Sequence, residues 1–129
     1  MDAGERRLRI NKITKTILAG AYHVSNTLGV GFLERVYENA LCHEFRKRGL
    51  KIIQQPSIQI WYDGAVVGDY RADLVVEDEL LVELKVAKQF DEIHLAQCLN
   101  YLKATRMRIC LLLNFGQPKV EVKRIVHEF

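Results

Sequence analysis

The stretch of residues 73–85, DLVVEDELLVELK, decides the fold because it reads as two apolar strands joined by an acidic turn. In a β-strand, side chains i and i+2 share one face, and side chain i+1 takes the other. The second strand therefore has one aliphatic face and one mixed face. The aliphatic face carries Leu80, Val82, Leu84 and Val86, and the mixed face carries Leu81, Glu83 and Lys85. We expect a β-hairpin with charged groups on one side.

The pairing of these two strands determines which charged groups meet. If the acidic turn is a three-residue loop, Val76 pairs with Leu80, and Asp73 lies opposite Glu83 on the same side of the sheet. A shift of the pairing by two residues would place Asp73 opposite Lys85 and keep both acids on that side. A shift by one residue would separate them. Either of the first two registers predicts two carboxylates and an ammonium on neighbouring strands.

Carboxylates among aliphatic neighbours are costly to bury. An ionised acid in that setting must be paired, protonated or bound to a metal, because its desolvation is worth several kcal/mol. Asp73 and Glu83 are therefore candidates for a site that holds a divalent cation. The plainer alternative is that Glu83 and Lys85 form the solvated face of an ordinary antiparallel hairpin.

Length and composition limit the architecture. The chain has 129 residues, of which 49% are hydrophobic, which is enough for one compact domain and too few for two ordinary ones. We expect a single domain over residues 1–129. Neither a membrane-length apolar run nor an apolar N-terminal signal is present, so we expect a cytoplasmic protein. The formal net charge of +3 permits nucleic-acid binding without requiring it.

The cysteines indicate no covalent or metal framework. Cys42, Cys98 and Cys110 are odd in number and widely spaced, and no two of them form a C-x-x-C pair. Neither a disulfide scaffold nor a zinc site is predicted. We expect reduced thiols in the core.

Hydrophobic periodicity predicts the element order ααβββαββ. Apolar residues at three- and four-residue intervals predict three helices, and alternation around turn residues predicts the strands. The expected helices are residues 7–28, 33–48 and 91–105. The expected strands are residues 51–62, interrupted at Pro56, and residues 66–76, 80–86, 108–115 and 120–126. This order makes an α+β or α/β-like sandwich in which a central mixed β-sheet is flanked by helices.

Two polar pairs on the helices are further candidates. Glu34 and Tyr37 are three residues apart, and Gln97 and Tyr101 are four apart, so each pair shares a helix face. Glu34 in the first turn could equally serve the helix dipole. Tyr101 could equally be a core residue with its hydroxyl at the rim. Gln97 and Tyr101 together could donate to a phosphate oxygen or a base.

These motifs together resemble a known family. Gly31–Tyr37 matches the signature that names the GxxExxY family, whose members are placed in the PD-(D/E)XK nuclease superfamily. Asp73, followed by Glu83-Leu84-Lys85, is similar to the acid, acid-x-Lys core of that superfamily. Gln97–Tyr101 is similar to the Gln-x-x-x-Tyr helix of its recombination-linked exonucleases. The resemblance covers about residues 10–126 and implies a restriction-endonuclease-like core.

The resemblance implies a metal-dependent site. Glu34, Asp73 and Glu83, with the carbonyl of Leu84, would bind Mg²⁺ or Mn²⁺. Lys85 would hold the attacking water or neutralise charge on the phosphoryl oxygens. The substrate would be held by Gln97, Tyr101 and Tyr37, and basic residues bordering the cleft, such as Lys88, Lys103 and Arg106, would hold the phosphate backbone.

Three functional hypotheses follow. The first is a nuclease that acts on DNA with little sequence preference, since no helix-turn-helix or zinc finger is recognisable. The second is a nucleic-acid-binding or assembly module that keeps the nuclease fold with weak or no activity. The third is a structural partner protein. The sequence does not distinguish DNA from RNA or internal from terminal cleavage, and a homodimer would help so small a chain to grip a duplex.

Overall fold

The computed structural model describes residues 1–127, which form three α-helices and seven β-strands. The elements are α1 (Ala3–Leu28), α2 (Glu34–Lys47), β1 (Ile52–Gln54), β2 (Ser57–Tyr62), β3 (Ala65–Arg71), β4 (Leu74–Val76), β5 (Leu80–Lys85), α3 (Glu92–Thr105), β6 (Ile109–Asn114) and β7 (Glu121–Val126). The expected domain of residues 1–129 also includes Glu128 and Phe129, which lie outside the described residues.

A five-stranded sheet forms the centre, in the order β1-β4-β5-β6-β7. The β5–β6 pair is parallel and the other pairs are antiparallel, as expected when α3 connects two neighbouring strands. Strands β2 and β3 form a separate antiparallel ribbon. The prediction of a central mixed sheet flanked by helices is confirmed.

The sheet separates two hydrophobic layers. One layer lies under α1 and α2 and includes the even-numbered residues Leu74, Val76, Leu80, Val82 and Leu84. The other lies under α3 and includes the odd-numbered residues Val75 and Leu81, with Cys98, Leu102 and Leu112. The predicted division of the hairpin into two faces is therefore confirmed, except that Val86 lies beyond β5 and is 40% exposed. The cysteines are buried and free, as expected.

The hairpin register is the first of the two that the sequence allowed. Val76 pairs with Leu80 and Leu74 with Val82. The turn is closed by the N–H of Glu79, which donates to the carbonyl of Val76 at 3.0 Å. Its two central residues, Glu77 and Asp78, have φ of 54° and 57°. Left-handed conformation at both central positions gives the twist that antiparallel hairpins favour.

The strands between α2 and α3 are more numerous than expected. The extended segments predicted at residues 51–62 and 66–76 are each divided between the sheet and the ribbon, so five strands replace the predicted three. The first break spans Gln55, which has φ of 55°, and Pro56, where an interruption was expected. The second lies at Ala72 and Asp73. These breaks place Asp73 at the point where the chain enters the sheet.

Helix boundaries differ slightly from the prediction. α1 begins four residues earlier, at Ala3, because Asp2 accepts a hydrogen bond from the N–H of Glu5 at 2.8 Å and caps the helix. α2 begins at Glu34, with Leu33 as its N-cap residue. Within residues 1–127, no helix combines the length and hydropathy needed to cross a membrane.

Candidate active site

Asp73 and Glu83 form a carboxylate pair where β4 begins and β5 ends. The N–H of Asp73 donates to Oε1 of Glu83 at 3.2 Å, and the N–H of Leu84 donates to Oδ2 of Asp73 at 2.7 Å. Glu83 is only 4% exposed. The two acids thus lie opposite each other, as the first register of the hairpin predicted.

The backbone just before β4 explains why the side chain of Asp73 contacts β5. The N–H of Ala72 donates to the carbonyl of Pro56 at 3.2 Å, so Ala72 does not continue the ladder toward Leu84. The carboxylate of Asp73 takes the N–H of Leu84 instead. In an antiparallel ladder the N–H and carbonyl of one residue point to the same side. The carbonyl of Leu84 therefore faces the edge at which Asp73 lies.

The electrostatics of this pair suit a cation. Burial, followed by the charge on Asp73, raises the pKa of Glu83 to about 9. Burial raises the pKa of Asp73 to about 6, although the N–H of Leu84 opposes the rise. Across residues 1–127, neither carboxylate has a basic side chain within ion-pair distance. At neutral pH the pair therefore retains a proton that a divalent cation could replace.

Glu34 and Lys85 lie around this pair. Partial desolvation raises the pKa of Glu34, although its side chain remains largely exposed, and the charge of Lys85 opposes part of that rise. The charges of Glu38 and Glu34 in turn contribute to the raised pKa of Asp73. Glu34 itself is exposed at the start of α2. No group of three acidic, histidine or cysteine side chains is close enough to hold a metal ion in the described part of the chain. The structure therefore joins two of the three expected acids and places the third in the same electrostatic environment.

A buried acid that the sequence analysis did not identify lies behind Asp73. Glu38 is 2% exposed and accepts hydrogen bonds from Nε2 of Gln54 at 2.6 Å and from Nε2 of Gln55 at 2.8 Å. Gln55 also donates to Oδ1 of Asp73 at 3.4 Å. The available signal was that Glu38 follows Glu34 by one helical turn, on the same face. The amide of Gln55 therefore links α2 to the site.

Two stacked tyrosines form the wall on the α3 side. The hydroxyl of Tyr70 donates to Oε2 of Glu83 at 3.3 Å. Its ring stacks on that of Tyr101, with centroids 3.7 Å apart and planes 18° from parallel. Burial raises the pKa of both phenols, so both remain hydrogen-bond donors at neutral pH. Tyr101 lies on the predicted third helix, and Tyr70 was not among the residues predicted for the site.

Gln97 and His94, two other polar residues of α3, have different surroundings. Gln97 is partly buried one turn before Tyr101, on the same helix face. His94 instead belongs to the helix cap, because its Nδ1 accepts from the N–H of Asp91 at 3.4 Å while Asp91 accepts from the N–H of His94 at 3.1 Å. Gln97 thus shares a helix face with Tyr101, whose ring stacks on Tyr70 beside Glu83.

Tyr37 does not occupy the substrate-contacting position expected of it. Its side chain is 0% exposed and stacks on Phe115 with centroids 4.8 Å apart. Its hydroxyl donates to the carbonyl of Gly29 at 2.6 Å and accepts from the N–H of Phe32 at 3.3 Å. The expectation was wrong because this helix face packs into the core. Tyr37 fixes the loop that leads into Glu34.

Comparison with known proteins found similarity at the level of sequence family and of fold. The family model described as the PD-(D/E)XK nuclease superfamily matches residues 11–125. No significant match was found among curated proteins. The structure is similar to the alkaline exonuclease LHK-Exo from Laribacter hongkongensis, with a TM-score of 0.54 and 14% identity over 93% of this chain and 70% of that one. It is also similar to SSO0001, with a TM-score of 0.55 and 17% identity over 96% of this chain and 62% of that one. At these identities the two solved structures show a shared fold.

Proposed function

The chain belongs to the PD-(D/E)XK nuclease superfamily, and we propose that it is a metal-dependent nuclease that hydrolyses phosphodiester bonds in DNA. The observation that carries the proposal is the pair of half-buried Asp73 and buried Glu83. Their raised pKa values and their lack of a basic partner within residues 1–127 suit a divalent cation. We further propose that the chain is a GxxExxY-type member, on the strength of Gly31–Tyr37.

The donor set is that of a hard cation. Asp73, Glu83 and the carbonyl of Leu84 would hold Mg²⁺ or Mn²⁺, and Glu34 would join them from the start of α2. When bound, the metal would polarise the phosphodiester and lower the pKa of a coordinated water. Nucleases of this superfamily generally use divalent metal ions.

The other side chains position the reactants. Lys85, at the end of β5, would hold the attacking water or stabilise negative charge on the phosphoryl oxygens. Gln97 and Tyr101 would orient the scissile strand from α3. Tyr70 holds Glu83 through its hydroxyl, and Tyr37 acts through the loop before Glu34 rather than on the substrate.

Cleavage and metal binding test the proposal together. The protein is titrated calorimetrically with Mg²⁺ and Mn²⁺ and incubated with single-stranded DNA, duplex DNA and RNA. Asp73→Asn and Lys85→Ala should each reduce cleavage by at least about 100-fold, because each removes a ligand or a charge-stabilising group. Only Asp73→Asn should also abolish metal binding.

Matched variants separate chemistry from folding. Asp69→Asn on β3 and Lys123→Ala on β7 alter exposed residues of the same types and should leave cleavage within about twofold of the wild type. Equal rates for Asp73→Asn and Asp69→Asn would contradict the proposal. Preferential cleavage of RNA would contradict the proposed DNA substrate but not the proposed nuclease activity.

A second candidate is a nucleic-acid-binding module without catalysis. It is favoured by the exposure of Glu34 and by the lack of a preformed three-acid group among residues 1–127. Nucleic-acid binding without metal uptake or cleavage would support it. A cytoplasmic location and a homodimer stay predictions, the latter testable by light scattering.

A further inference from the structure

A groove runs between the ribbon and α3, outside the carboxylate site. It has a volume of about 670 Å³ and is lined by Trp61 from β2 and by Tyr101, Lys103 and Arg106 from α3 and its C-cap. A second depression of about 560 Å³ shares Trp61 and continues along the ribbon. Cavities of this size are typical of ligand-binding clefts. The two depressions together form an extended concave surface between the ribbon and α3, beside the proposed nuclease site.

Trp61 is the unusual residue in this groove. Its side chain is 62% exposed although tryptophan is usually mostly buried. The ladder shifts register between Ile60 and Trp61, where Val67 is the extra residue on the facing strand β3, and such a bulge increases the local twist of the ribbon at Trp61. An aromatic ring presented to solvent in this way can stack on a flat ligand.

The groove is connected to the carboxylate pair. Tyr101 lines the groove on one side and stacks on Tyr70 on the other, and the hydroxyl of Tyr70 donates to Glu83 at 3.3 Å. A chain that lies along Trp61 and Tyr101 would therefore lead to the site. This continuity distinguishes the groove from an unrelated surface hollow.

The groove wall combines aromatic and basic groups. Lys103 and Arg106 lie three residues apart along α3 and its cap, on the same wall as Tyr101. Basic groups that track a phosphate backbone, together with aromatic rings on which bases stack, are the combination that binds single-stranded nucleic acid. A duplex keeps its bases stacked inside and would offer Trp61 no free base face.

We propose that this groove binds the unpaired DNA strand next to the bond that is cut, with a base stacked on Trp61 and phosphates held by Lys103 and Arg106. The proposal rests on the proposed nuclease function and assigns its substrate class as single-stranded DNA. It predicts that binding requires neither the metal nor the carboxylate pair.

The single tryptophan of the chain provides the assay. An oligothymidine of about twelve nucleotides is titrated into the intact protein in EDTA, and tryptophan fluorescence is followed. We expect quenching, and we expect a duplex of equal length to bind at least about tenfold more weakly. Affinities of the variants are measured with a fluorescein-labelled oligothymidine by anisotropy.

Tyr62→Ala is the matched control for Trp61→Ala. Tyr62 is the next residue of β2, is 73% exposed, and does not line the groove. Trp61→Ala should weaken binding roughly tenfold, and Tyr62→Ala should change it less than about twofold. Lys103→Ala should reduce the slope of log affinity against log salt by roughly 0.7, whereas Lys123→Ala should not.

Several outcomes would overturn the inference. These are unchanged fluorescence on addition of oligothymidine, equal affinities for the two aromatic variants, and tighter binding of duplex than of single strand. If DNA does not quench the tryptophan fluorescence, and the protein forms a dimer that Trp61→Ala abolishes, the groove binds a second copy of the chain instead. The binding assay contains no metal and is therefore independent of catalysis. If the wild-type protein binds oligothymidine through Trp61 but cleaves no DNA in the presence of metal, the proposed nuclease function is wrong and the binding groove stands.

Discussion

Glu83 is held where ionisation is difficult. It lies 4% exposed in β5, next to the carboxylate of Asp73, with the hydroxyl of Tyr70 and the N–H of Asp73 as donors. These donors satisfy its oxygens without supplying a positive charge. The position therefore makes a neutral or metal-bound Glu83 more stable than a free carboxylate.

The pKa of Glu83 predicts a pH-dependent stability. Its pKa is raised from 4.5 to about 9, so the folded protein binds more protons than the unfolded chain between these values. The free energy of unfolding must then fall as pH rises through that interval. Glu83→Gln keeps a neutral side chain of the same shape and removes this dependence.

Thermal unfolding in EDTA measures the effect. Relative to wild type, Glu83→Gln should have a similar Tm near pH 4 and a Tm higher by at least about 3 °C near pH 8. The exposed Glu92→Gln on α3 serves as the control. A wild-type Tm that rises in parallel with that of Glu83→Gln between pH 5 and 8 would contradict the prediction.

At the scale of elements, the amide of Asn114 fixes the start of the loop after Lys85. Asn114 ends β6 beside Lys85, is 0% exposed, and accepts hydrogen bonds from the N–H groups of Ala87 at 3.0 Å and Gly116 at 2.9 Å. Its Nδ2 donates to the carbonyl of Ala87 at 2.9 Å. A Cβ at Gly116 would collide with the backbone of Ala87. The loop after β5 and the loop after β6 therefore pack too closely for any residue larger than glycine at position 116.

Asn114→Ala should destabilise the fold and loosen Lys85. It would leave the partly buried N–H groups of Ala87 and Gly116 without their acceptor, which costs roughly 2–4 kcal/mol, equivalent to a Tm lower by roughly 6–12 °C. Asn26→Ala, at an exposed position of α1, should change Tm by less than about 2 °C. The nuclease rate of Asn114→Ala, measured well below its Tm, should fall about tenfold. An unchanged Tm would show that the amide does not hold the loop.

Local patterns predicted some elements better than others. The hairpin was predictable because its alternation and its acidic turn act within thirteen residues of the chain. The division of the preceding segments between sheet and ribbon was not, because it depends on the left-handed backbone at Gln55 and on the change of partner at Ala72. The roles of Glu38, Gln55 and Tyr70 were hidden for the same reason, since their partners are distant in sequence.

For the whole molecule, a cation at the site would be linked to folding. Any ligand that binds only the folded state raises stability by RT ln(1 + [L]/Kd), which is about 2.7 kcal/mol at 100-fold excess over Kd. Mn²⁺ should therefore raise the Tm of the wild type in a concentration-dependent way. The rise should be larger at pH 8 than at pH 6, because the proton shared by Asp73 and Glu83 must leave when the cation binds.

Differential scanning calorimetry provides the measurement. Mn²⁺ should shift the wild-type Tm by several degrees, Asp69→Asn should follow the wild type, and Asp73→Asn should not respond. An equal response in Asp73→Asn would place the cation elsewhere on the molecule.

The contact between Asp73 and the N–H of Leu84 has an evolutionary consequence. The same backbone pairing that buries Leu74 and Val82 also delivers the carboxylates. An insertion or deletion of one codon that shifts the register of β4 on β5 by one residue would thus turn aliphatic side chains outward and disperse the acids in a single event. Inactive copies of that kind would be poorly folded and open to proteolysis, so selection for solubility alone would help to preserve the geometry of the acids.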